Sequence, residues 1–397
     1  MRFLHTADWH IGMGASHVPS VADSVRAARL KTAGKITRLA RERRCDLLLI
    51  AGDLFDSNAV SNDVVHQVLR ILEEAAPVEV YILPGNHDLV SPDSVYERPA
   101  FANPPANVHV LRDRRPVYLQ NGDVAILPAP VTQKCSETDP TFDFPATPEA
   151  THRIGVAHGS LQIEGKYQSD DHPIALDAAS RANLDYLALG HWHSYLAVGD
   201  VTIMPGTPEP MAFGEESGYV TIVEMVGEQT LVEKIQINTL TWLDKRLDLE
   251  PDVDMLTAVG SWATELTDDT LLRLEITGYG TGELEANLQE LSDWLKARLL
   301  YLALNTTQVR AGMLTGSAQK LISPHPFLAG VLSDLAKMLM MAEPDLGARE
   351  AATTDIDLGR ALDTEMLRKW LDEVDYDPDI IQNAMWQLLR MIQEVSS

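Results

Sequence analysis

Short apolar runs alternate with helical patterns over roughly the first 240 residues of the chain. Each run ends close to a Gly, Asp or His, which is typical of buried strands rather than helices. The runs are Phe3-Leu4, Leu47-Leu48-Leu49-Ile50, Val80-Tyr81-Ile82-Leu83, Ile154-Gly155-Val156 and Tyr186-Leu187-Ala188-Leu189. Helices are predicted at Val21–Arg43 and Asn62–Ala75, between the first three runs. Strands that alternate with helices predict a layered α/β architecture.

The pattern changes beyond this region. Residues Gly218 to Ile237 predict a hairpin with its turn at Gly227-Glu228. A second unit, which starts near Asp248, is predicted to contain an alternating strand at Leu272–Ile276, an amphipathic helix at Leu284–Leu295 and a short strand at Thr307–Arg310. From about residue 325 the pattern is helical, with a last helix around Ile381–Ile392 after a cap at Asp379. We therefore expect three parts, at residues 1–245, 246–320 and 321–397.

Residue types suited to metal binding follow the predicted strands. The five motifs are Asp8-Trp9-His10, Gly52-Asp53-Leu54-Phe55-Asp56, Gly85-Asn86-His87-Asp88, His158-Gly159 and Gly190-His191-Trp192-His193. Any one of them is uninformative, because a strand-end Asp is often a helix cap and a single His is often a core residue. Open α/β sheets gather their ligands at the carboxyl ends of the strands. The five motifs together therefore predict one convergent site.

The donor types of these motifs favour divalent metal ions. Carboxylate, carboxamide oxygen and imidazole suit Mn²⁺, Fe²⁺ or Zn²⁺, and the motifs offer no thiolate for a structural zinc. Two ions about 3.5–4 Å apart need a bridging group, and a carboxylate can bridge them. Asp53 is the expected bridge, because it is the first acid after the most apolar strand. The dinuclear site is predicted to consist of Asp8, His10, Asp53, Asn86, His158, His191 and His193. His17 and His172 are weak outsiders whose loops could border the cleft.

Composition adds one unusual feature, the charge. The apolar fraction of 45% and the charged fraction of 23% are ordinary for a globular protein, but 58 acidic against 32 basic residues give a net charge of −26. The acidic excess is greatest near the C-terminus, for example in residues 372–379. The charge indicates either a well-solvated surface or a partner subunit that supplies basic surface for a nucleic acid. It argues against a free-standing DNA clamp, but not against a metal-centred phosphodiesterase.

Other features concern the cellular compartment. No apolar stretch approaches the roughly 18 residues of a membrane span, and the chain begins directly with a predicted strand. Cys45 and Cys135 are the two cysteines, too few for a disulfide framework. These features predict a cytoplasmic protein.

Four stretches resemble a known family nearly letter for letter: FLHTADWHIG, IAGDLFD, LPGNHD and GHWHS. They are similar to the calcineurin-like metallophosphoesterase superfamily and, within it, to the SbcD family of DNA-repair exonucleases. The resemblance covers about residues 1–215. It implies a layered β-sandwich flanked by helices at residues 1–245 and a small α+β capping domain at residues 246–320. It also implies a C-terminal helical segment at residues 321–397, which is a possible docking region for an ATPase.

The resemblance also implies a role for each site residue. One ion takes Asp8, His10 and His193, the other takes Asn86, His158 and His191, and Asp53 lies between them. His87 is catalytic: it faces the scissile phosphate and protonates the leaving oxygen or stabilises the transition state, with Asp88 orienting it. The metals polarise the phosphodiester and activate water for in-line attack. Trp9 and Trp192 are interpreted as packing or cleft wall, with base stacking as the lesser alternative.

The function implied is hydrolysis of DNA phosphodiester bonds, as an exonuclease and endonuclease in DNA repair and recombination. The implied cofactor is a pair of divalent ions, most simply Mn²⁺, and the implied partner is an SbcC-like coiled-coil ATPase. A homodimer is also implied, with the Asn62–Ala75 helix as its interface, unless the apolar face of this helix covers the sheet.

Two alternatives remain open. A phosphatase or cyclic-nucleotide phosphodiesterase could use the same core, but the additional 150 or so C-terminal residues argue against it. A scaffold subunit with a vestigial metal site is the third hypothesis, and the complete ligand set argues against that.

Overall fold

The computed structural model describes residues 1–249, 255–260, 262–280, 284–311, 326–342, 380–381, 384–385 and 387–388. The chain divides into two compact units. The first comprises Met1–Leu243 with Asp269–Leu271, and the second comprises Asp244–Asp268 with Leu272–Ser397. The predicted boundary near residue 320 lies outside the described residues, so the three-part division stays a prediction.

The described elements are numbered in chain order. The strands are β1 Arg2–Thr6, β2 Leu47–Ala51, β3 Glu79–Leu83, β4 Val108–Val110, β5 Val117–Leu119, β6 Val124–Ala129, β7 His152–His158, β8 Tyr186–Gly190, β9 Leu196–Val198, β10 Thr202–Met204, β11 Tyr219–Val226, β12 Gln229–Gln236, β13 Thr241–Leu249, β14 Thr270–Gly280 and β15 Tyr301–Ala311. The α-helices are α1 Ala22–Glu42, α2 Asn62–Glu73, α3 Pro99–Ala102, α4 Ala178–Arg181, α5 Met255–Gly260, α6 Leu284–Lys296 and α7 Pro326–Ala342. Short 3-10 turns lie at Pro19–Val21, Val95–Glu97, Gln120–Gly122 and Ala263–Glu265.

Two six-stranded sheets form the first unit. The order of the first sheet is β12-β11-β1-β2-β3-β4, and that of the second is β5-β6-β7-β8-β10-β9. Strands β1 to β4 are parallel, as are β6, β7, β8 and β10, and antiparallel strands lie at the edges. The parallel strands therefore direct their carboxyl ends towards one edge in each sheet.

The hydrophobic core is layered, as the alternation of side chains along β2 shows. Leu47 and Leu49 join Phe3, Ile154 and other residues in a core between the two sheets, whereas Leu48 and Ile50 join residues of α1 and α2 in a second core. Successive side chains of a strand point to opposite faces, so a strand that is apolar throughout has to be covered on both faces. The predicted β-sandwich flanked by helices is confirmed.

Helix α2 covers the first sheet. Ser61 caps its N-terminus, where the Ser61 hydroxyl accepts a hydrogen bond from the Val64 amide at 3.4 Å. Its buried face, which includes Val65, Val68 and Leu72, packs in the core with the strands. The structure therefore favours sheet covering over a homodimer interface for these side chains.

The second unit contains a three-stranded sheet in the order β13-β14-β15 and helix α6. Leu272, Leu274 and Ile276 are buried on β14, as their alternation predicts. In helix α7, Met338 and Leu339 form an apolar cluster with Ile381. The predicted cap Asp379 lies outside the described residues.

Two further sequence expectations concern cysteines and membranes. Cys45 is buried and Cys135 exposed, and both are free thiols. Within the described ranges, no helix combines the length and the apolar character needed to span a membrane.

Candidate active site

The five motifs lie together at the carboxyl ends of the central strands. Asp8 and His10 follow β1, and their amides donate to the backbone oxygens of Gly52 and Asp53, which follow β2. Asn86 follows β3, His158 ends β7, and His191 and His193 follow β8. The site therefore draws on both sheets of the first unit.

Four of the predicted ligands have left-handed backbone conformations. The φ angles are 53° at Asp8, 45° at His10, 50° at Asp53 and 119° at His191. Such conformations cost about 1–3 kcal/mol each for residues other than glycine, and they persist where the surroundings impose them. The backbone thus stores strain to aim these side chains.

Three predicted ligands and Asp53 form one compact group. The Nε2 atom of His158 lies 2.9 Å from Asn86 Oδ1, 3.2 Å from Asp53 Oδ2 and 3.3 Å from His191 Nδ1. The same Asn86 oxygen lies 3.2 Å from His191 Nδ1. Asn86 Oδ1, Asp53 Oδ2 and His191 Nδ1 therefore all lie within 3.3 Å of His158 Nε2.

Asp8, His10 and Asp53 form a second group, with ligand atoms all within 4.8 Å of one another. The ring of His193 lies 5.1 Å from the His10 ring, centroid to centroid. His10 Nε2 lies 3.8 Å from Asp53 Oδ2, the oxygen that also faces His158. Asp53 is therefore common to both groups.

Glycines in two motifs allow this close approach. A Cβ atom at Gly52 would lie 1.9 Å from His158 Nδ1, and one at Gly85 would lie 2.2 Å from Asp53 Oδ1. Both distances are far below van der Waals contact, so a side chain at either position would displace a predicted ligand. The two glycines are part of the site for this steric reason.

The buried carboxylates of the site favour a bound positive charge. Burial lowers the pKa of His158, but the Asp53 and Asp8 carboxylates outweigh burial and raise this pKa to about 10. Burial raises the pKa of Asp53, yet His158, His10 and His87 together hold it well below its usual range. Buried carboxylates that bring a proton onto a neighbouring imidazole would hold a cation equally well.

The donor set fits a pair of divalent ions. His10 is 1% exposed, and its ring nitrogens lie 3.5 Å from Asp56 Oδ1 and 3.8 Å from Asp53 Oδ2, without hydrogen-bond geometry to any described residue. A buried imidazole without partners is costly unless a ligand completes it. The remaining donors are carboxylate, carboxamide and imidazole, which are the usual ligands of Mn²⁺, Fe²⁺ and Zn²⁺ in proteins.

His87 lies at the open side of the site. Its backbone amide donates to Asp53 Oδ1 at 2.9 Å, and its ring Nδ1 lies 2.8 Å from the backbone oxygen of Asp56. A carbonyl only accepts, so Nδ1 carries the proton and Nε2 is left for another partner. The side chain of His87 is exposed, in contrast to the buried His10 and His158.

The contacts of Asp88 differ from the predicted one. Its carboxylate accepts from the Gly85 amide at 2.8 Å, the Phe55 amide at 3.0 Å and the Tyr96 hydroxyl at 2.6 Å. Burial, with the nearby Asp53 charge, raises the pKa of Asp88 to about 6. The Asp88 carboxylate therefore holds the loops after β2 and β3 together, and the backbone of Asp56 contacts the His87 ring; an orienting role of Asp88, which would act through these loops, stays a prediction.

Two acidic residues that the sequence did not single out also contact predicted ligands. Asp171 Oδ2 lies 2.7 Å from His191 Nε2, and Glu215 Oε1 lies 3.4 Å from His193 Nδ1. The hydrogen bond with His191 lowers the pKa of Asp171 to about 2. Both residues come from loops, at positions that no strand pattern marks.

The remaining candidates lie around the site. Trp9 is buried and donates to the Thr6 hydroxyl at 3.0 Å, which confirms packing over stacking. His172 is also buried; a Cβ atom at Gly159 would lie 2.2 Å from its backbone oxygen. The ring of His17 packs 5.5 Å from that of Trp242.

A two-sheet α/β fold with this donor set at its strand ends defines a class, the metal-dependent phosphoesterases. Residues 1–195 match the family model of the calcineurin-like phosphoesterases. Together with the two relatives described below, this match identifies the chain as a metal-dependent phosphodiesterase.

Two curated proteins and one solved structure are similar to this chain. The SbcD component of the nuclease SbcCD from Bacillus subtilis (strain 168) is 24% identical over 313 residues, which are 68% of this chain and 76% of that protein. The DNA double-strand break repair protein Mre11 from Methanopyrus kandleri is 26% identical over 238 residues, 54% of this chain and 50% of that protein, so the chain spans about half its length. The crystal structure of TT1561 of Thermus thermophilus aligns with a TM-score of 0.39 at 13% identity, covering 60% of this chain and 99% of that one.

Proposed function

We propose that this phosphodiesterase hydrolyses DNA, as an exonuclease and endonuclease that depends on Mn²⁺. The observation that carries the proposal is the pair of donor groups that share Asp53 at the strand ends. The names of both relatives support a DNA substrate, because one is a nuclease subunit and the other a DNA double-strand break repair protein.

The two groups suggest how the ligands divide. Asp8, His10 and His193 would hold one ion, and Asn86, His158 and His191 the other, with the Asp53 carboxylate between them. When bound, such a pair polarises a phosphodiester and activates water for in-line attack. The protein contributes the fixed positions of these side chains, which the strained backbone and the glycines impose.

His87 is proposed to act on the leaving group. With Nδ1 donating to the Asp56 oxygen, Nε2 is the nitrogen left to hold a proton for the leaving oxygen. The Asp53 carboxylate fixes the His87 backbone through the amide at 2.9 Å. The residue that bridges the two groups therefore also places the catalytic ring.

The proposed biological setting is a complex with an SbcC-like ATPase. The name of the Bacillus relative makes it one subunit of a nuclease, and the charge of −26 suggests that another subunit supplies basic surface. The region after residue 325, which includes helix α7, is the proposed docking region; there Phe327 is 80% exposed.

One assay tests the activity. The purified chain is incubated with Mn²⁺ and, separately, with end-labelled duplex DNA, circular single-stranded DNA, p-nitrophenyl phosphate and a cyclic nucleotide. We expect both DNA substrates to be cut, and we expect Asn86→Ala and His87→Gln to reduce cutting by at least about 100-fold, the range of general acid–base and ligand losses. His66→Gln is the matched control, because His66 is exposed on α2 outside the site.

The other possible results of this assay would support a different function. Turnover of the monoester or the cyclic nucleotide without DNA cutting would make the chain a phosphatase or cyclic-nucleotide phosphodiesterase. No turnover and no bound metal would leave a scaffold. Equal losses in His66→Gln and His87→Gln would contradict the catalytic role of His87.

A further inference from the structure

Two histidines of the proposed ligand set, His158 and His191, each have a hydrogen-bond acceptor on the side of the ring away from the site. His158 presents Nε2 to Asp53, while its Nδ1 donates to the backbone oxygen of Ala51 at 2.9 Å. His191 is turned the other way. Its Nδ1 faces Asn86 and His158, and its Nε2 faces the Asp171 carboxylate at 2.7 Å. The nitrogen directed away from the site has a protein acceptor in both rings.

Asp171 is itself fixed in place. It lies between β7 and β8, where its backbone oxygen accepts from the Ser160 amide at 3.1 Å. The Ser160 hydroxyl donates to Asp171 Oδ2 at 2.5 Å and accepts from Trp192 Nε1 at 2.9 Å. Trp192 follows His191 directly in the sequence. Hydrogen bonds thus run from Trp192 through Ser160 and Asp171 back to His191, in a closed circuit.

We propose that Asp171 is a positioning residue, which fixes the His191 ring so that the unprotonated Nδ1 faces the metal. The proposal rests on the ligand set proposed above. A carboxylate accepts only, so the proton of the neutral imidazole resides on Nε2 and the lone pair on Nδ1. A carboxylate behind a ligating imidazole also raises its basicity, and loss of such a partner typically costs about 10- to 100-fold in metal affinity.

Ser160 and Trp192 take their roles from the same circuit. The Ser160 hydroxyl holds Asp171 Oδ2, the oxygen that contacts His191, and the indole of Trp192 orients that hydroxyl. Trp192 thereby supports the proposed metal site by donating its indole N–H to the Ser160 hydroxyl.

The test measures metal binding without substrate. Mn²⁺ alone is titrated into metal-free protein, and the free ion is followed by electron paramagnetic resonance. The proteins compared are the parent, Asp171→Asn, Ser160→Ala, His191→Ala and the control Asp170→Asn. Asp170 is the exposed neighbour of Asp171, and its substitution removes the same charge from the same loop. Thermal unfolding of each metal-free protein is recorded in parallel.

We expect the parent to bind two Mn²⁺ ions and His191→Ala to lose one. Asp171→Asn should weaken one of the two sites by about 10-fold or more and leave the other unchanged. Ser160→Ala should weaken the same site to a smaller extent, and Asp170→Asn should match the parent. All variants except His191→Ala should unfold, metal-free, near the parent temperature.

Several outcomes would overturn the proposal. Parent-like binding by Asp171→Asn, when His191→Ala loses one ion, would reject the role of Asp171 and leave the ligand set intact. Equal losses in Asp171→Asn and Asp170→Asn would show a general charge effect. If Asp171→Asn fails to fold, parent-like binding by Ser160→Ala decides against the circuit. A parent that binds no Mn²⁺ rejects the ligand set, and this inference with it.

Discussion

His5 is a buried histidine on β1 that the metal site does not use. Its Nδ1 atom lies 2.9 Å from the Tyr186 hydroxyl in the interior of the first unit. Burial lowers the pKa of His5 to about 3, so the folded protein keeps the ring neutral at a pH where the unfolded chain, with a pKa near 6.5, takes up a proton. The unfolded state binds more protons between these two values, so folding stability falls as the pH falls through this window.

We predict that His5 makes the metal-free protein acid-sensitive. Between pH 7 and pH 5 its contribution should reduce the free energy of unfolding by about 2 kcal/mol, at about 1.4 kcal/mol per unit of pKa difference. Urea unfolding of the parent and of His5→Gln at both pH values measures how much the free energy of unfolding of each protein changes with pH. The contributions of the other titrating groups are the same in both proteins, so they cancel when the two changes are subtracted. An identical pH dependence in the two proteins would contradict the prediction.

At the same scale, the sequence located the predicted ligands, which the structure brings together, better than the acids that contact them. Asp8, Asn86 and His158 could be found because each follows an apolar strand, and strand ends of parallel sheets converge. Asp171 and Glu215 could not, because they lie in loops whose path the local pattern does not define. The partners of Asp88 could not be predicted for a related reason: adjacency to His87 in the sequence says nothing about where its carboxylate points.

At the scale of elements, most of the buried strands of five or more residues were predictable and the three-residue strands were not. β2 and β8 are apolar at nearly every position, because each is covered on both faces. β4, β5, β9 and β10 have three residues each, and a run of this length carries no periodicity. Of the second sheet, the sequence analysis predicted β7 and β8; it missed the three-residue strands and also β6, which has six residues and is buried throughout.

Glu209 connects several of these elements. The residue is 1% exposed, and its carboxylate accepts from the Thr32 hydroxyl of α1 and from the amides of Thr239 and Leu240, at 2.5–2.8 Å. The neighbouring backbone oxygens, at Glu209 and Pro210, accept from the buried Arg29, which also donates to the oxygen of Trp9. This cluster joins α1 and the segment before β13 to the loop that carries Asp8 and His10.

We predict that Glu209→Ala lowers the free energy of unfolding by about 3 kcal/mol, since it removes a buried carboxylate that accepts from three donors. Glu209→Gln keeps one acceptor oxygen and should cost about 1 kcal/mol. Glu216→Ala is the control, because Glu216 pairs with Lys234 on the surface, where a salt bridge contributes less than about 1 kcal/mol. Urea unfolding of the three variants measures the order; equal losses at Glu209 and Glu216 would contradict it.

At the scale of the whole molecule, the protein and its proposed substrate are both negatively charged. A protein that neutralises DNA phosphates with its own Lys and Arg loses affinity steeply as salt rises, because counterions are released on binding. A chain with a net charge of −26 instead repels DNA over distances of about a Debye length, roughly 10 Å at 0.1 M salt, except at the metal centre. Added salt screens this repulsion.

The isolated chain should therefore cut DNA no more slowly as salt rises. We predict that kcat/KM for duplex DNA, at constant Mn²⁺, stays level or rises between about 20 and 150 mM KCl, since screening weakens the repulsion of like charges. A small phosphodiester such as bis-p-nitrophenyl phosphate, with a single charge, is the control and should change little. With a basic ATPase subunit bound, the slope should become negative, because that surface would then release counterions. A steep fall for the isolated chain would show that it holds DNA through a basic surface of its own, and the need for a partner to supply that surface would disappear.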